Sequence, residues 1–159
     1  MKKIILIGFA LILSIVIIIF NKTTTVGEIV KPYSTENLPE EMKTSIYFSC
    51  FSSKELNVTN YESKKEIVNL LSSIKVKKPL VTPPKIYNPK LKETYHIFFN
   101  NYEDEEDNIY IYTLNRKYIR INDKTYKISN NPDLFSLYNI IINDQPKGSI
   151  DEFYYNLIE

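Results

Sequence analysis

An unbroken apolar run near the amino terminus places the strongest constraint on what this chain can fold into. The run extends from Ile4 to Phe20 and contains no charged residue. A helix of this length measures roughly 26 Å, slightly less than the about 30 Å of a bilayer core, and snorkelling of Asn21 and Lys22 can extend its reach. The sequence therefore predicts a signal anchor over residues 1–20, in the form of a transmembrane helix.

The charges that flank this run predict its orientation. Lys2 and Lys3 precede it, whereas only Lys22 follows closely. This asymmetry predicts a cytoplasmic amino terminus and an extracellular remainder, and so a single-pass protein of the cell membrane. The alternative is a cleaved signal peptide, whose apolar core is normally about 7 to 15 residues long and ends at small residues. The nearest tolerable cleavage site is 25–27, and the longer run favours the uncleaved anchor.

The remaining chain is long enough for one small domain and too short for two. Residues 21–43 are polar, lack a period and contain Pro32 and Pro39, so they are predicted to form an extracytoplasmic stalk. Residues 44–159 are predicted to form the single domain. The formal net charge is +1, which gives no global attraction to nucleic acid, and the oligomeric state stays open.

Alternating apolar and polar residues predict an antiparallel sheet of about five strands. The first strand is predicted from Ile46 and, after a break at residues 52–54, continues to Val58. The other strands form a meander because Asn115-Arg116 and Asn122-Asp123 fall where tight hairpin turns are needed. These four strands are predicted at Tyr95 to Asn100, Asn108 to Leu114, Lys117 to Asn122 and Lys124 to Ser129.

Capping signals predict two or three helices that pack on this sheet. A capping box at 63–66 predicts a helix from Lys64 to Lys75, and Asn131-Pro132 predicts the start of a second helix. A further capping box at 149–152 predicts a short terminal helix. The predicted fold class is α+β, with the transmembrane helix followed by a small domain of one antiparallel sheet and a helical layer.

The period of the strands separates two faces of the sheet. Ile109, Ile111, Ile119, Ile121 and Ile128 share one face and are predicted to form the core. The opposite face collects the predicted ligand-binding or partner-binding residues, with His96 and Phe98 beside them. These residues are Tyr110, Tyr112, Tyr118 and Arg120.

An aromatic and partly basic sheet face can stack on planar or sugar ligands, and it can also bind a partner chain. The simpler interpretation is that tyrosines fit a pleated, half-solvated surface, or that the terminal helix covers them. The intrinsic β-propensity of tyrosine favours this simpler interpretation.

Little in the sequence supports catalysis or metal binding. His96 is the only histidine, so a cluster of histidine ligands is excluded, and with 3 Gly no phosphate-binding loop is present. The acidic run 103–107 lacks the interleaved acids and the bend glycine of a calcium loop, and a solvated turn is favoured. The sequence predicts no enzyme, no metal and no cofactor, and a hydrolase built around His96 is the least favoured alternative. Lysines of the proline-rich loop 75–92 could contact anionic wall polymers or lipid head groups.

Two stretches carry a resemblance to known proteins. Residues 110–129 contain Tyr and Ile strand pairs around an Asn-Asp turn, and residues 134–138 contain a Leu-Tyr helix. These stretches resemble small uncharacterised membrane-anchored or lipid-modified extracytoplasmic proteins of low-GC Gram-positive bacteria, namely clostridia and bacilli. The resemblance implies an envelope location and an α+β fold, and it implies no catalytic residue.

The expected function is therefore a non-catalytic binding or interaction module at the cell envelope. An envelope protein is the expected partner, and the membrane is expected to be contacted through Ile4 to Phe20. The alternative is a sensor or binding domain for a small ligand or an anionic cell-wall polymer.

Overall fold

The computed structural model describes residues 2–49, 52–79, 94–100, 107–114 and 117–146. Four helices are present in these residues: α1 Lys2–Asn21, α2 Val26–Ile29, α3 Tyr61–Ser72 and α4 Leu134–Asn143. Eight strands accompany them: β1 Thr23–Thr25, β2 Glu41–Ser49, β3 Ser52–Val58, β4 Lys75–Lys77, β5 Thr94–Asn100, β6 Ile109–Leu114, β7 Tyr118–Ile121 and β8 Lys124–Ile128.

All eight strands belong to one sheet in the order β1-β4-β8-β7-β6-β5-β2-β3, and every neighbouring pair is antiparallel. The meander β5 to β8 matches the four predicted strands to within one residue at each end. Asn122 in the β7–β8 turn has a φ of 50°, the left-handed conformation that the Asn-Asp pair predicted. The meander predicted from the sequence is confirmed.

The predicted number of strands is wrong, because the sheet has eight strands instead of about five. β1 and β4 have three residues each, which is too short to show a period of two in the sequence. The segment from Ile46 to Val58 is two strands, β2 and β3, which pair with each other as a hairpin. Residues 52–54, which were predicted as a break, belong to β3, where Ser53 pairs with Tyr47 and Lys54 pairs with Ile46.

The transmembrane helix in the predicted fold class is not found either. α1 carries Lys2, Lys3 and Asn21 at its ends, so its apolar portion is shorter than the about 20 residues that a bilayer core requires. Within the part of the chain that the structure describes, no helix is both long enough and apolar enough to cross a membrane. The fold is therefore one eight-stranded antiparallel sheet with few helices.

The segment predicted as a stalk is packed against the sheet instead. The Thr25 hydroxyl accepts a hydrogen bond from the Glu28 amide and caps the single turn of α2. Val26 and Val30 are fully buried, and the Tyr33 ring meets the Phe99 ring edge-on with the centroids 5.3 Å apart. The polar composition of this segment concealed a few apolar anchors whose spacing follows no regular period.

The helices α3 and α4 begin at caps other than the predicted ones. α3 begins after Asn60, whose side chain accepts from the Glu62 and Ser63 amides, three residues before the predicted cap at Ser63. α4 begins after Asp133, whose carboxylate accepts from the Ser136 amide, so Asn131 is not its cap. Several polar residues near each start could act as caps, and the sequence alone does not distinguish them. Four predicted features lie outside the described residues: the terminal helix, residues 80–92 of the proline-rich loop, the turn at 115–116 and the acidic residues 103–106.

α2, α3 and α4 cover one face of the sheet and close a single hydrophobic core. The isoleucines predicted for this face, at positions 109, 111, 119, 121 and 128, are all buried, which confirms that prediction. They belong to the same cluster as Ile67, Leu71, Leu137 and Ile141 from the helices. The helical layer thus leaves the opposite side of the same strands uncovered by α2, α3 and α4.

Candidate binding face

The alternation of side chains along each strand directs a second set of residues to the uncovered side. Strand register aligns these residues in rows that run across the sheet. One row places His96 opposite Tyr112 and Tyr112 opposite Arg120, and a neighbouring row places Phe98 opposite Tyr110. We call this surface the open face. Its residues are Lys43, Ser45, Glu55, His96, Phe98, Tyr110, Tyr112, Tyr118 and Arg120.

Four aromatic rings from β5 and β6 form the centre of the open face. His96 and Tyr112 meet edge-on, with their centroids 4.2 Å apart and their planes at 72°. Phe98 and Tyr110 are stacked, with their centroids 4.4 Å apart and their planes at 24°. Cross-strand aromatic pairs of this kind restrict each other's rotamers. The rings therefore form an ordered platform and not a set of independent surface side chains.

The His96 side chain is half-buried in this platform, and the burial lowers its pKa from 6.5 to about 4. Its imidazole is therefore neutral at pH 7 and contributes an aromatic surface without positive charge. The cationic groups nearest the four rings are Arg120 on one side and Lys43 on the other. Lys127, directly opposite Tyr118, and Lys77, opposite Lys127, point to the same side of the sheet beyond β7. Lys43 forms an ion pair with Glu41 at 3.1 Å on the same strand.

Arg120 is held in position by the β7–β8 turn. Its Nε donates to the Asn122 carbonyl oxygen at 2.9 Å, and its Nη2 lies 3.5 Å from the Asp123 Oδ1. The Asp123 side chain is fully exposed, so this ion pair adds little to stability. The contacts instead direct the guanidinium group along the open face, beside Tyr112.

Asn122 connects this turn to Tyr110. The Asn122 amide nitrogen donates to the Tyr110 carbonyl oxygen at 2.8 Å, and the Asn122 Oδ1 accepts from the Tyr110 amide nitrogen, also at 2.8 Å. Both backbone groups of Tyr110 are thus bound by one residue, which fixes the start of β6. The Asn-Asp pair predicted the turn, but the sequence did not show that Asn122 positions a residue of the open face.

The open face contains two adjoining shallow depressions. One has a volume of about 630 Å³ and is lined by Asn108, Tyr110, Tyr112, Arg120, Asn122 and Asp123. The other has a volume of about 340 Å³ and is lined by Lys43, Ser45, Glu55, His96, Ile97, Phe98, Tyr110 and Tyr112. Tyr110 and Tyr112 line both, so the two depressions form one groove across β3, β2, β5, β6 and β7.

The structure brings together three of the four predicted site residues. The larger depression is lined by Tyr110, Tyr112 and Arg120. Tyr118 lies on the same face, two residues before Arg120 on β7. Lys43, Ser45 and Glu55 were not predicted for this site. Their inclusion depends on the pairing of β2 with β5, which no local sequence signal indicates.

Comparisons with known proteins identify no relative. No protein-family model matches the chain, and neither a curated protein nor a solved structure is similar to it. In the described residues, no three His, Cys, Asp or Glu side chains are grouped as a metal site would require. The geometry of the open face is therefore the basis for proposing a function.

Proposed function

We propose that this protein is a non-catalytic binding or interaction module of the cell envelope, and that it binds a partner protein through the open face. The observation that carries the proposal is the continuous groove centred on Tyr110 and Tyr112. The groove is broad and shallow, which suits a protein surface better than an enclosed small-molecule pocket.

The distribution of residues in the groove also supports a partner protein. Tyrosine and arginine are the residue types that most often dominate binding energy at protein interfaces. Here Tyr110 and Tyr112 lie at the centre, and Arg120 lies beside them. Lys43 and Glu55 provide a charged rim at the other end. An apolar centre with a polar rim is the usual arrangement of a protein interface.

The environment of His96 argues for binding without catalysis. Ser45 is the residue opposite His96 on β2, so the two could in principle be considered a nucleophile and a base. A general base is most effective when its pKa is near the working pH, and burial lowers that of His96 to about 4. A role for His96 as part of an aromatic binding surface fits this environment better.

We also propose a location at the cell membrane, with the sheet domain on the extracytoplasmic side and Ile4 to Phe20 in contact with lipid. The charge asymmetry around the run supports this location. Residues 7, 9, 11–13 and 15–18 of α1 are apolar and exposed, with Phe9 at 67 % and Ile18 at 70 %. Lipid would cover this surface. Fractionation of cells and digestion by external protease would test the location and the orientation.

The experiment that tests the binding function is site-specific photocrosslinking in intact cells. A photoreactive residue at position 112 should capture one defined protein, whereas the same residue at position 135 should not. Phe135 is an appropriate control because it is an exposed aromatic residue on the helical layer, at 54 % exposure. Capture at 112 should be lost on Arg120→Ala and retained on Lys65→Ala. Equal capture at both positions, or no dependence on Arg120, would contradict binding at the open face.

A second candidate function is binding of a small ligand or an anionic wall polymer at the same face. The observation that favours it is the composition of the larger depression, where Asn108 and Asn122 add amide groups to Arg120 and the tyrosines. Polymer binding should weaken strongly with salt, because salt screens the attraction between Arg120 and a negatively charged ligand. Salt-sensitive binding that requires Arg120, with no protein captured at position 112, would favour this candidate.

A further inference from the structure

One edge of the sheet carries a group of lysines that lies beyond the groove of the open face. In the strand register, Lys77 of β4 lies opposite Thr23 of β1 on one side and opposite Lys127 of β8 on the other. The Lys117 carbonyl oxygen accepts from the Ile128 amide at 2.8 Å, which brings a further lysine beside Lys127. We call this group the lysine edge. It comprises Lys22, Lys75, Lys77, Lys78, Lys117 and Lys127.

The lysine edge is an unfavourable arrangement for an isolated domain. Like charges directly opposite each other on neighbouring strands are destabilising, and Lys77 and Lys127 form such a pair. In the described residues, no carboxylate forms an ion pair with any of the six lysines. The nearby Glu28 carboxylate accepts from the Thr24 hydroxyl and the Thr25 amide, and these bonds lower its pKa more than Lys31 and Lys22 do. The chain as a whole is almost neutral, at +1, so this local excess of positive charge is specific to the edge.

The position of the lysine edge indicates what neutralises it. Lys22 is the only residue between the end of α1 and the start of β1, which is the edge strand of the sheet. One residue of extended chain spans about 3.5 Å. The lysine edge is therefore adjacent to the point where the apolar helix ends. Lysines held close to a membrane surface are attracted to anionic lipid head groups, and the attraction falls off within a Debye length.

We propose that the lysine edge binds the head groups of anionic lipids, an inference that rests on the membrane association of α1 proposed above. This contact relieves the repulsion between Lys77 and Lys127, and it holds the β1 edge of the sheet against the membrane surface. Tyr118, which lies opposite Lys127, is then at the membrane end of the open face. Glu55, on the other edge strand, is at the distal end, where a partner protein can reach the groove.

Lysine footprinting on the full chain in vesicles tests this inference. The chain is mixed with phosphatidylcholine vesicles, with and without phosphatidylglycerol, and lysine amines are acylated and quantified by mass spectrometry. Phosphatidylglycerol should reduce acylation at the lysine edge several-fold at low salt, and high salt should restore it. Lys65, which is exposed on α3, should react equally in every condition. Equal acylation of the lysine edge in the two kinds of vesicle would overturn the inference.

A pair of matched variants separates lipid contact from a structural role. Lys77→Gln with Lys127→Gln should weaken the dependence of vesicle binding on phosphatidylglycerol by roughly fivefold for each lysine removed. Lys65→Gln with Lys124→Gln removes the same charge elsewhere and should leave that dependence unchanged. In phosphatidylcholine alone, the first variant should unfold at a higher temperature, because it removes the repulsion without losing a lipid contact.

Two other outcomes have distinct meanings. If the chain associates with neither kind of vesicle, the proposed membrane location fails and this inference fails with it. If soluble polyglycerol phosphate protects the lysine edge in phosphatidylcholine vesicles while phosphatidylglycerol does not, the edge binds an anionic polymer and the lipid inference is wrong. Association with both vesicles and no effect of either anion would overturn only the inference.

Discussion

The two faces of the same sheet differ more than any other two regions of this molecule. In β6 the inward residues Ile109, Ile111 and Thr113 are at most 5 % exposed, whereas Tyr110, between two of them, is 47 % exposed. All of these residue types have a high β-propensity, so propensity does not distinguish the faces. The helical layer distinguishes them, because α2, α3 and α4 cover one face and not the other.

This difference indicates how each face contributes to the protein. On the covered face, a side chain fills space in a close-packed core, and its loss leaves a cavity. On the open face, truncation of a side chain lowers the free energy of unfolding less, because solvent can fill the space. Substitutions on the covered face should therefore change stability, and substitutions on the open face should mainly change binding.

The largest expected effect compares two neighbouring residues of β6. Ile111→Ala should lower the free energy of unfolding by about 3 to 4 kcal/mol, because it opens a cavity at a fully buried position. Tyr112→Ala, on the other side of the strand, should cost much less stability but abolish partner binding. Denaturant unfolding of both variants, with crosslinking of a partner as the second measurement, makes the comparison. Similar losses of stability in the two variants would show that the open face is a second core.

The second prediction sharpens the comparison at His96, a half-buried residue of the aromatic platform. Burial lowers the pKa of His96 to about 4, whereas the unfolded chain binds this proton near pH 6.5. Between these values the unfolded state binds more protons, so stability should rise with pH and be lost as pH falls from about 6.5 to 4. The His96 contribution should be about 2 kcal/mol over this range, allowing for screening by solvent.

Unfolding of His96→Gln across the same pH range is the control. The variant keeps a polar side chain of similar size but cannot titrate, so its stability should change less between pH 6.5 and 4. The carboxylates titrate in both proteins, so the difference between their two curves of stability against pH reports the titration of His96. Identical curves would mean that the imidazole is solvated and that the platform does not exclude water.

The parts of the fold that the sequence predicted correctly are those with a strong local period. The isoleucine positions and the two faces of β5 to β8 follow from alternation over several residues, and the Asn-Asp turn fixed one of the hairpins between them. The parts that it missed have no local signal. β1 and β4 are three residues long, and Val26, Val30 and Tyr33 enter the core from an irregular segment. Only tertiary packing makes these residues structural.

The candidate site shows the same limit. Alternation alone placed Tyr110, Tyr112, Tyr118 and Arg120 on one face, and the structure has them there. Lys43, Ser45 and Glu55 join the groove through the pairing of β2 with β5, between residues about fifty positions apart. The lysine edge likewise depends on β1, β4 and β8 being neighbours. The period of the sequence predicts which side chains share a face of one strand. The order of the strands determines which side chains of other strands lie beside them.

The third prediction concerns the contact that joins α3 to α4 in the helical layer. The Asp144 carboxylate, at the end of α4, accepts from the Thr59 amide at 2.8 Å and from the Asn60 amide at 3.1 Å, next to the start of α3. Asp144→Ala should lower the free energy of unfolding by about 1 to 2 kcal/mol, because both hydrogen bonds to a charged acceptor are lost. Unfolding by denaturant measures this loss.

Hydrogen exchange locates the effect of Asp144→Ala. Faster exchange should be confined to the start of α3 and the end of α4, while β6 and β7 keep their protection. Asp123→Ala is a suitable control, since that carboxylate is fully exposed and should cost little. Exchange that rises throughout the sheet would show that the helical layer and the sheet open as one unit.

The smallest expected change in stability is at Asn122, in the β7–β8 turn that holds Tyr110 of the open face. Asn122→Gly keeps the left-handed backbone at a φ of 50° but removes the side-chain acceptor for the Tyr110 amide, whereas Asn122→Ala also strains the backbone. The alanine variant should lose about 1 kcal/mol of stability and the glycine variant about half of that. Partner binding should fall by a similar factor in both, because both release Tyr110 from its anchor. If only the alanine variant loses binding, the backbone of the turn positions Tyr110, and the Asn122 side chain does not.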